Sequence, residues 1–257
     1  MKNLPEYKHA TVAMQADGIA TVTIRSTTAL NIIGSAAIDD VRQAVSQLAM
    51  DSEVRVLVLR GAGDKAFVGG ADIKEMGALD VDTARVFIDR LRSLCEAVRL
   101  FPSPVIARLS GWALGGGLEL AAACDLRIAS NRAQFGMPEV KVGIPSIIHA
   151  ALLPRLVGQA RANWLLMTGE NIDAAQALAW GLVDTVVPLE RLDEEVDRMA
   201  RKFAGYGPAV MRQQKRLLRE WQDEPLETSI RKGVDEFASA YATGEPQRFM
   251  AAFLARK

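Results

Sequence analysis

Two glutamates, Glu119 and Glu139, lie in segments where backbone N–H groups could take part in chemistry together with their carboxylates. Glu119 follows three consecutive glycines, 115–117, in GWALGGGLE, and Glu139 follows a proline in FGMPEVKVGIP. Glycine lets a ligand approach the backbone, and the first N–H groups of a helix have no partners within the helix. A glycine turn that opens a helix can therefore donate hydrogen bonds to an oxygen carrying negative charge, with Glu119 beside it in the first turn.

The same features have simpler readings. A strand-to-helix turn often needs glycine for packing alone, and the helix dipole favours Glu in a first turn. Glu139 alone is typical of a surface carboxylate. A phosphate site is disfavoured, because Gly117 is followed by Leu118 and Glu119 instead of the Lys-Ser/Thr of a P-loop, and GxGxxG is not matched.

A second stretch, AGDKAFVGGADIKEM (62–76), favours the chemical reading. It follows the apolar run VRVLVLRG (54–61), and the glycine run follows PVIARLSG (104–111); both runs are typical of buried parallel strands. If these strands are neighbours, the N–H groups of the two following loops lie close together. Two such donors on one carbonyl oxygen form an oxyanion hole.

The elements around these loops predict an α/β core followed by helices. An N-terminal hairpin turns at Asp17-Gly18, and Ser35 is expected to cap a helix that runs to about Ala49. Further strands are predicted at 125–129 and 183–187, with a long helix between 80 and 100. Helices are predicted after residue 189, at 190–204, 208–221, 225–241 and 246–255. We therefore divide the chain into an α/β core, 1–189, and a helical region, 190–257.

Composition narrows the classes of function. Lys plus Arg and Asp plus Glu both number 31, so no nucleic acid or membrane partner is expected. The chain has two cysteines, Cys95 and Cys124, without metal-ligand spacing, and only two histidines, too few for a His-rich metal site or a histidine-based triad, so we predict no metal. The sequence has no long apolar run and no apolar signal core near its start, which predicts a cytoplasmic protein. Acid–base chemistry would then fall to carboxylates.

Four segments together resemble the enoyl-CoA hydratase/isomerase (crotonase) superfamily, and its hydratases most closely. They are KAFVGGADIKEM, PVIARLSGWALGGGLELAAACDLRIAS, AQFGMPEVKVGIP and LPRLVGQARANWLLMTGENIDAAQALAWGLVD. The resemblance implies a crotonase-like spiral of ββα units with a helical C-terminal region that forms a homotrimer or a dimer of trimers. It also implies an acyl-CoA thioester substrate and no cofactor, since coenzyme A is part of the substrate.

The resemblance also implies roles for individual residues. The two oxyanion-hole amides fall on Ala71 and Gly116, and the two catalytic glutamates on Glu119 and Glu139. The remaining expected contacts with the substrate or its CoA are Ala29, Leu30, Asp72, Ile73, Lys74, Trp112 and Ser146. Trp112 could equally fill the core. In the closing segment, Phe253 and Lys257 are candidates for contact with the CoA nucleotide.

The implied reaction is the syn addition of water to an α,β-unsaturated acyl-CoA. Glu119 is assigned mainly to the water that attacks Cβ and Glu139 mainly to the proton at Cα. Two carboxyls close together in an apolar pocket titrate as a pair, and burial and like charge raise at least one pKa. The alternatives are a Δ3-Δ2 enoyl-CoA isomerase, another crotonase-type reaction, or a non-catalytic binding protein, for instance for RNA. The balanced charge and the retained acids argue against the last.

One segment departs from the family pattern. Where typical hydratases have GAGGTQRL after a proline, this chain has Ser146-Ile147-Ile148-His149-Ala150-Ala151-Leu152 after Pro145. The bulkier residues are expected to shorten or reshape the acyl pocket. His149 is interpreted as a packed or capping side chain, or else as a polar contact in that pocket.

Overall fold

The computed structural model describes residues 6–255, in which strands and helices alternate before an all-helical C-terminal part. The strands are β1 Ala10–Met14, β2 Ile19–Ile24, β3 Val56–Gly61, β4 Ala66–Val68, β5 Val105–Leu109, β6 Trp112–Leu114, β7 Leu126–Ser130, β8 Gln134–Gly136, β9 Ile172–Asp173 and β10 Thr185–Val187. The α-helices are α1 Ser35–Ala49, α2 Ile73–Met76, α3 Val81–Arg99, α4 Gly116–Ala123, α5 Leu153–Val157, α6 Gln159–Thr168, α7 Ala174–Trp180, α8 Leu192–Ala204, α9 Pro208–Asp223, α10 Leu226–Tyr241 and α11 Glu245–Leu254. Short 3-10 turns occupy Pro138–Val142, Ile148–Leu152 and Leu189–Arg191.

The chain winds as a spiral between two sheets. The larger sheet has the order β1-β2-β3-β5-β7-β10 and the smaller has the order β4-β6-β8-β9. Strands β3, β5 and β7 are parallel neighbours in the first sheet, and β4, β6 and β8 are parallel neighbours in the second. Each turn of the chain thus adds one strand to each sheet and then a helical segment. The predicted α/β fold, a spiral of ββα units with a helical C-terminal region, is confirmed.

The longer elements match their sequence patterns, and the shortest do not. The hairpin, the apolar strands and the C-terminal helices are found within a few residues of their predicted ends. Strands β4, β6 and β8 were not predicted. Each has only three residues, too few for a hydrophobic period to show.

The expected capping role of Ser35 is wrong. Gly34 is the N-cap of α1, and Ser35 is already its first helical residue. The carboxylate of Glu75 caps instead, accepting hydrogen bonds from the Ser35 N–H at 2.9 Å and from its hydroxyl. A Cβ atom at Gly34 would lie 2.5 Å from Glu75 Oε2, so a glycine is needed there for the carboxylate to approach.

Both faces of the larger sheet are covered. One face packs with α1, α3 and α4 into the main core, which contains Phe67, Leu94 and Phe135. On the other face, Leu192 and Val196 of α8 pack against apolar residues of the sheet. Within residues 6–255, no helix is long and apolar enough to cross a membrane.

A buried ion-pair cluster attaches α9 to the core. Asp125, just before β7, receives Lys215 Nζ at 2.7 Å and Arg219 Nη2 at 2.5 Å. Lys215 is buried and also donates to the Ser103 carbonyl at 3.0 Å. Because a buried ammonium group needs compensating partners, Asp125 fixes the position of α9.

The substitution Asp125→Ala should destabilise the protein by about 3 kcal/mol, because removing one partner leaves the other buried and uncompensated. The measurement is thermal or urea unfolding at fixed protein concentration. Glu194→Ala is the matched control, since it removes an exposed pair with Arg191. A loss no larger than that of the control would contradict the prediction.

Candidate active site

The loop after β4 presents the N–H group of Ala71. Ile33 pairs with this loop, its N–H donating to the Gly70 carbonyl at 3.1 Å and its carbonyl accepting from Asp72 N–H at 3.0 Å. In an extended chain, successive residues point their N–H groups to opposite sides. Since the Asp72 N–H points toward Ile33, the Ala71 N–H points away from it. No residue in the described part of the chain accepts a hydrogen bond from it.

The turn after β6 presents the N–H group of Gly116. Gly115 has φ +51°, and its N–H donates to the Gly136 carbonyl at 2.9 Å. Gly116 then begins α4, where its N–H has no helical acceptor and none elsewhere in residues 6–255. The two loops are adjacent, because β4 and β6 pair in parallel and a Cβ atom at Gly70 would lie 3.5 Å from the Leu114 carbonyl oxygen.

At each glycine of the run 115–117, a neighbouring atom lies so close to the backbone that a side chain would clash with it. A Cβ atom at Gly115 would lie 2.3 Å from Glu139 Oε1, and one at Gly117 would lie 2.1 Å from the Val68 carbonyl oxygen. At Gly116, the nearest atom would be Leu91 Cδ2 at 2.8 Å. The turn is therefore packed against β4, α3 and the second acid at once.

Glu119 is held in the first turn of α4. Its side chain is buried, and its Oε1 accepts a hydrogen bond from the Ala150 N–H at 2.9 Å. Burial raises the pKa of Glu119 to about 8; the Ala150 hydrogen bond opposes this rise, and the charge of Glu139 adds to it. A carboxyl group with a pKa this high can carry a proton near neutral pH.

Glu139 reaches the same turn from the loop after β8. Its Oε1 lies against Gly115, and its Oε2 accepts a hydrogen bond from the Ser146 hydroxyl at 2.9 Å. Burial raises the pKa of Glu139, and the hydrogen bond from Ser146 opposes this rise. Glu139 is only half-buried, so its carboxyl group keeps more contact with solvent than that of Glu119.

The segment that departs from the family pattern forms one wall behind Glu119. Ile148 has φ +42°, in the left-handed region, and opens the 3-10 turn Ile148–Leu152. The next residue, His149, is buried, and its Nε2 lies 3.1 Å from Glu96 Oε2 on α3. Ile147 is exposed, so the expected effect on an acyl pocket stays a prediction.

The remaining predicted contacts are distributed around the Ala71 loop. Leu30, with Ala29 exposed before it, accepts a hydrogen bond from the Gly69 N–H at 2.7 Å. Asp72 caps α2, accepting from Lys74 N–H at 2.9 Å, and the side chains of Ile73 and Lys74 are exposed on that helix.

Trp112 and Phe253 belong to other parts of the described chain than the glycine turn and the loop after β8 that carry the two acids. Trp112 is half-buried at the start of β6, whereas the glycine turn follows the end of that strand. Phe253 is exposed on α11. Lys257 lies outside the described residues. Their contacts with a ligand stay predictions.

Two residues that build the site carried little sequence signal. Asn31 is buried with φ +51°, and its Nδ2 donates to the carbonyls of Ala62 and Ala66 at 3.0 and 2.9 Å, which holds the connection between β3 and β4. Asn31 belongs to the stretch Ala29-Leu30-Asn31, which resembles the family's lining of the CoA channel, but that resemblance gave no sign of these two hydrogen bonds or of the left-handed backbone that Asn tolerates. Ala150 acts through its backbone N–H, which no side chain reveals.

The arrangement combines two unpaired N–H donors with two acids. Such donors can stabilise charge that develops on a carbonyl oxygen. A carboxyl group with a raised pKa can give or take a proton near neutral pH. The site is therefore suited to forming and protonating an enolate beside a polarised carbonyl.

Comparison with known proteins gives concordant matches along the chain. The family model described as enoyl-CoA hydratase/isomerase matches residues 14–257. A short-chain-enoyl-CoA hydratase of Clostridium acetobutylicum is 35% identical over 248 residues, covering 96% of this chain and 95% of the relative. A crotonyl-CoA hydratase of Syntrophomonas wolfei is 36% identical, covering 93% and 92%. The crystal structure of an enoyl-CoA hydratase from Bacillus anthracis superposes with a TM-score of 0.93 at 31% identity, covering 97% of each chain.

We predict that Glu139→Gln lowers the pKa of Glu119 below its value of about 8 but leaves it well above the ordinary range, because burial is the larger cause. Infrared titration of the protonated carboxyl band measures this, with Glu119→Gln protein identifying the band. Glu53→Gln, at an exposed position, is the control. A return of the Glu119 pKa to the ordinary range would show that like charge, and not burial, dominates.

Proposed function

Because the chain belongs to the enoyl-CoA hydratase/isomerase family, as its sequence predicts, we propose that it adds water to α,β-unsaturated acyl-CoA thioesters. The observation that carries this proposal is the meeting of two buried or half-buried glutamates at one glycine turn that also bears an unpaired N–H group. Adding water across a double bond needs a base for the water at Cβ and an acid for the proton at Cα, and the two carboxyls can serve these two needs. The proposed enzyme is a hydro-lyase.

In the proposed mechanism, the thioester carbonyl accepts hydrogen bonds from the N–H groups of Ala71 and Gly116. These bonds stabilise the enolate that forms as water attacks Cβ. Glu119 takes the proton from water, and Glu139 gives a proton to Cα on the same face of the double bond. The product is a 3-hydroxyacyl-CoA. Glu119 then holds a proton and Glu139 lacks one, and proton exchange between the two carboxyls or with solvent restores the starting state.

The proton must be on Glu139 for this division of roles. Glu119 is the more deeply buried acid, and its pKa of about 8 favours a proton on Glu119 instead. Two coupled carboxyls share macroscopic pKa values, so a bound thioester can redistribute the one proton. The division of roles is therefore part of the proposal and is tested with it.

Seven further residues are proposed to contact the substrate or its CoA. They are Ala29, Leu30, Asp72, Ile73, Lys74, Trp112 and Ser146. The Ser146 hydroxyl has a further role, since its hydrogen bond to Glu139 orients that carboxyl group. Coenzyme A enters as part of the substrate, so the proposed reaction uses no separate cofactor. A cytoplasmic location stays a prediction.

The wild-type protein should hydrate crotonyl-CoA, and Glu119→Gln and Glu139→Gln should each lower kcat by about 10²- to 10⁴-fold, because each removes a proton-transfer group. Loss of the enoyl-thioester absorbance measures turnover, with a series of chain lengths to define the acyl group. Glu53→Gln is the matched surface control. Full activity in both variants would refute the proposal, and double-bond migration without hydration would identify an isomerase.

We further propose that the helical region, 190–257, joins copies of this chain in a trimer or a dimer of trimers. Helix α10 carries an apolar stripe at spacings of three and four residues, which places its members on one face. These side chains are Leu226, Ile230, Val234, Phe237 and Tyr241, all exposed in the single chain. A solvent-facing stripe of this size is typical of a surface that another protein covers.

Val234→Glu should dissociate the assembly, because it places a charge in the middle of the stripe. Light scattering coupled to size-exclusion chromatography measures the mass in solution. Asp235→Lys changes the charge on the opposite face of α10 and is expected to leave the mass unchanged. A monomeric wild-type protein, or an unaltered mass for Val234→Glu, would contradict the assignment.

A further inference from the structure

We propose that His149 is a positioning residue, which works with Glu96 to hold the turn Ile148–Leu152 so that the Ala150 N–H stays on the Glu119 carboxyl group. The inference rests on the proposed function of Glu119. It concerns a residue that stands in the segment where this chain departs from the glycine-rich family pattern.

A continuous series of contacts links helix α3 to Glu119. Arg99 donates two hydrogen bonds to Glu96, at 2.8 and 2.9 Å, and Glu96 Oε2 lies 3.1 Å from His149 Nε2. The next residue along the chain, Ala150, donates its N–H to Glu119 Oε1 at 2.9 Å. The Glu96–His149 contact is thus one residue from the bond that orients Glu119.

The protonation state of this contact follows from the charge on Glu96. The hydrogen bonds from Arg99 lower the pKa of Glu96 to about 2, so it is a carboxylate. Burial lowers the pKa of His149, which is therefore neutral and donates its Nε2–H to Glu96. Because His149 is neutral, it acts on Glu119 through the position of the turn and not through its charge.

The turn needs this attachment because its first residue is strained. Ile148 has φ +42°, and a β-branched side chain is disfavoured in left-handed backbone. Such conformations persist only where the surroundings hold them. His149 is also buried with its Nδ1 unpaired among the described residues, so it contributes a single polar contact, the one with Glu96.

The expected sign follows from the Ala150 hydrogen bond. An N–H that donates to a carboxylate stabilises the charged form, so its loss raises the pKa of Glu119. The titratable and charged groups that act on Glu119 and His149 are Glu139 and Cys95 beside the former, and Glu96, Arg99 and Arg92 beside the latter. Substitution of the neutral His149 keeps all of these charged groups in place and so changes the geometry of the turn, whereas Glu96→Ala breaks the same contact from the other side and also removes a charge.

The experiment compares His149→Ala and Glu96→Ala with His149→Gln, whose amide can still donate to Glu96. The alanine variants should lower kcat roughly ten- to a hundredfold with little change in KM, and should move the limb of the pH profile that belongs to Glu119 to higher pH by about one unit. His149→Gln should restore most of the rate. Asp82→Asn removes an exposed ion pair on the same helix and is the matched control.

A second measurement does not depend on turnover. Infrared titration of the Glu119 carboxyl group should show the same upward pKa shift in the alanine variants. Unchanged titration in folded variants would overturn the positioning role, even if stability fell. If an alanine variant fails to fold, His149→Asn, which is too short to reach Glu96, decides in the same way. If wild-type protein does not hydrate enoyl-CoA, the proposed function fails, and the titration still decides whether His149 positions Glu119.

Discussion

The close approach of the Glu139 carboxylate to Gly115 is the constraint on which the rest of the site depends. Its oxygen occupies the space of a side chain, so the turn must be glycine, and the same turn must start α4 at Gly116. This start places Glu119 in the buried first turn of the helix, where its pKa rises to about 8. One steric condition thus brings a donor and two acids together.

The spiral explains how three segments that are distant in sequence come together at one site. Strands β4, β6 and β8 are parallel neighbours, so the loops that follow them leave the sheet on one side. The first loop presents Ala71, the second presents Gly116 and the third presents Glu139. Each turn of the chain therefore adds one chemical group, and the sheet fixes their spacing.

Sequence reasoning predicted the groups but not their support. Glycine runs and apolar strands can be recognised in the sequence by their pattern alone, whereas the pairing of the two glutamates and the spiral followed from the family resemblance. The short strands had no measurable period, and the cap of α1 depended on Glu75, forty residues away. The hydrogen bond from the Ala150 N–H to Glu119 joins elements that are distant in sequence through a backbone group, so only the folded chain reveals it.

Helix α4 has a different partner at each end. Its first residue, Gly116, offers an N–H to the site, and Asp125, two residues beyond its last, binds Lys215 and Arg219 of α9. Eight residues span only about 12 Å, so the two ends of this buried helix lie close together. A ligand that binds the Gly116 N–H and the helix that docks on Asp125 thus act near opposite ends of one short helix, and whatever free energy couples the two events is the same in both directions.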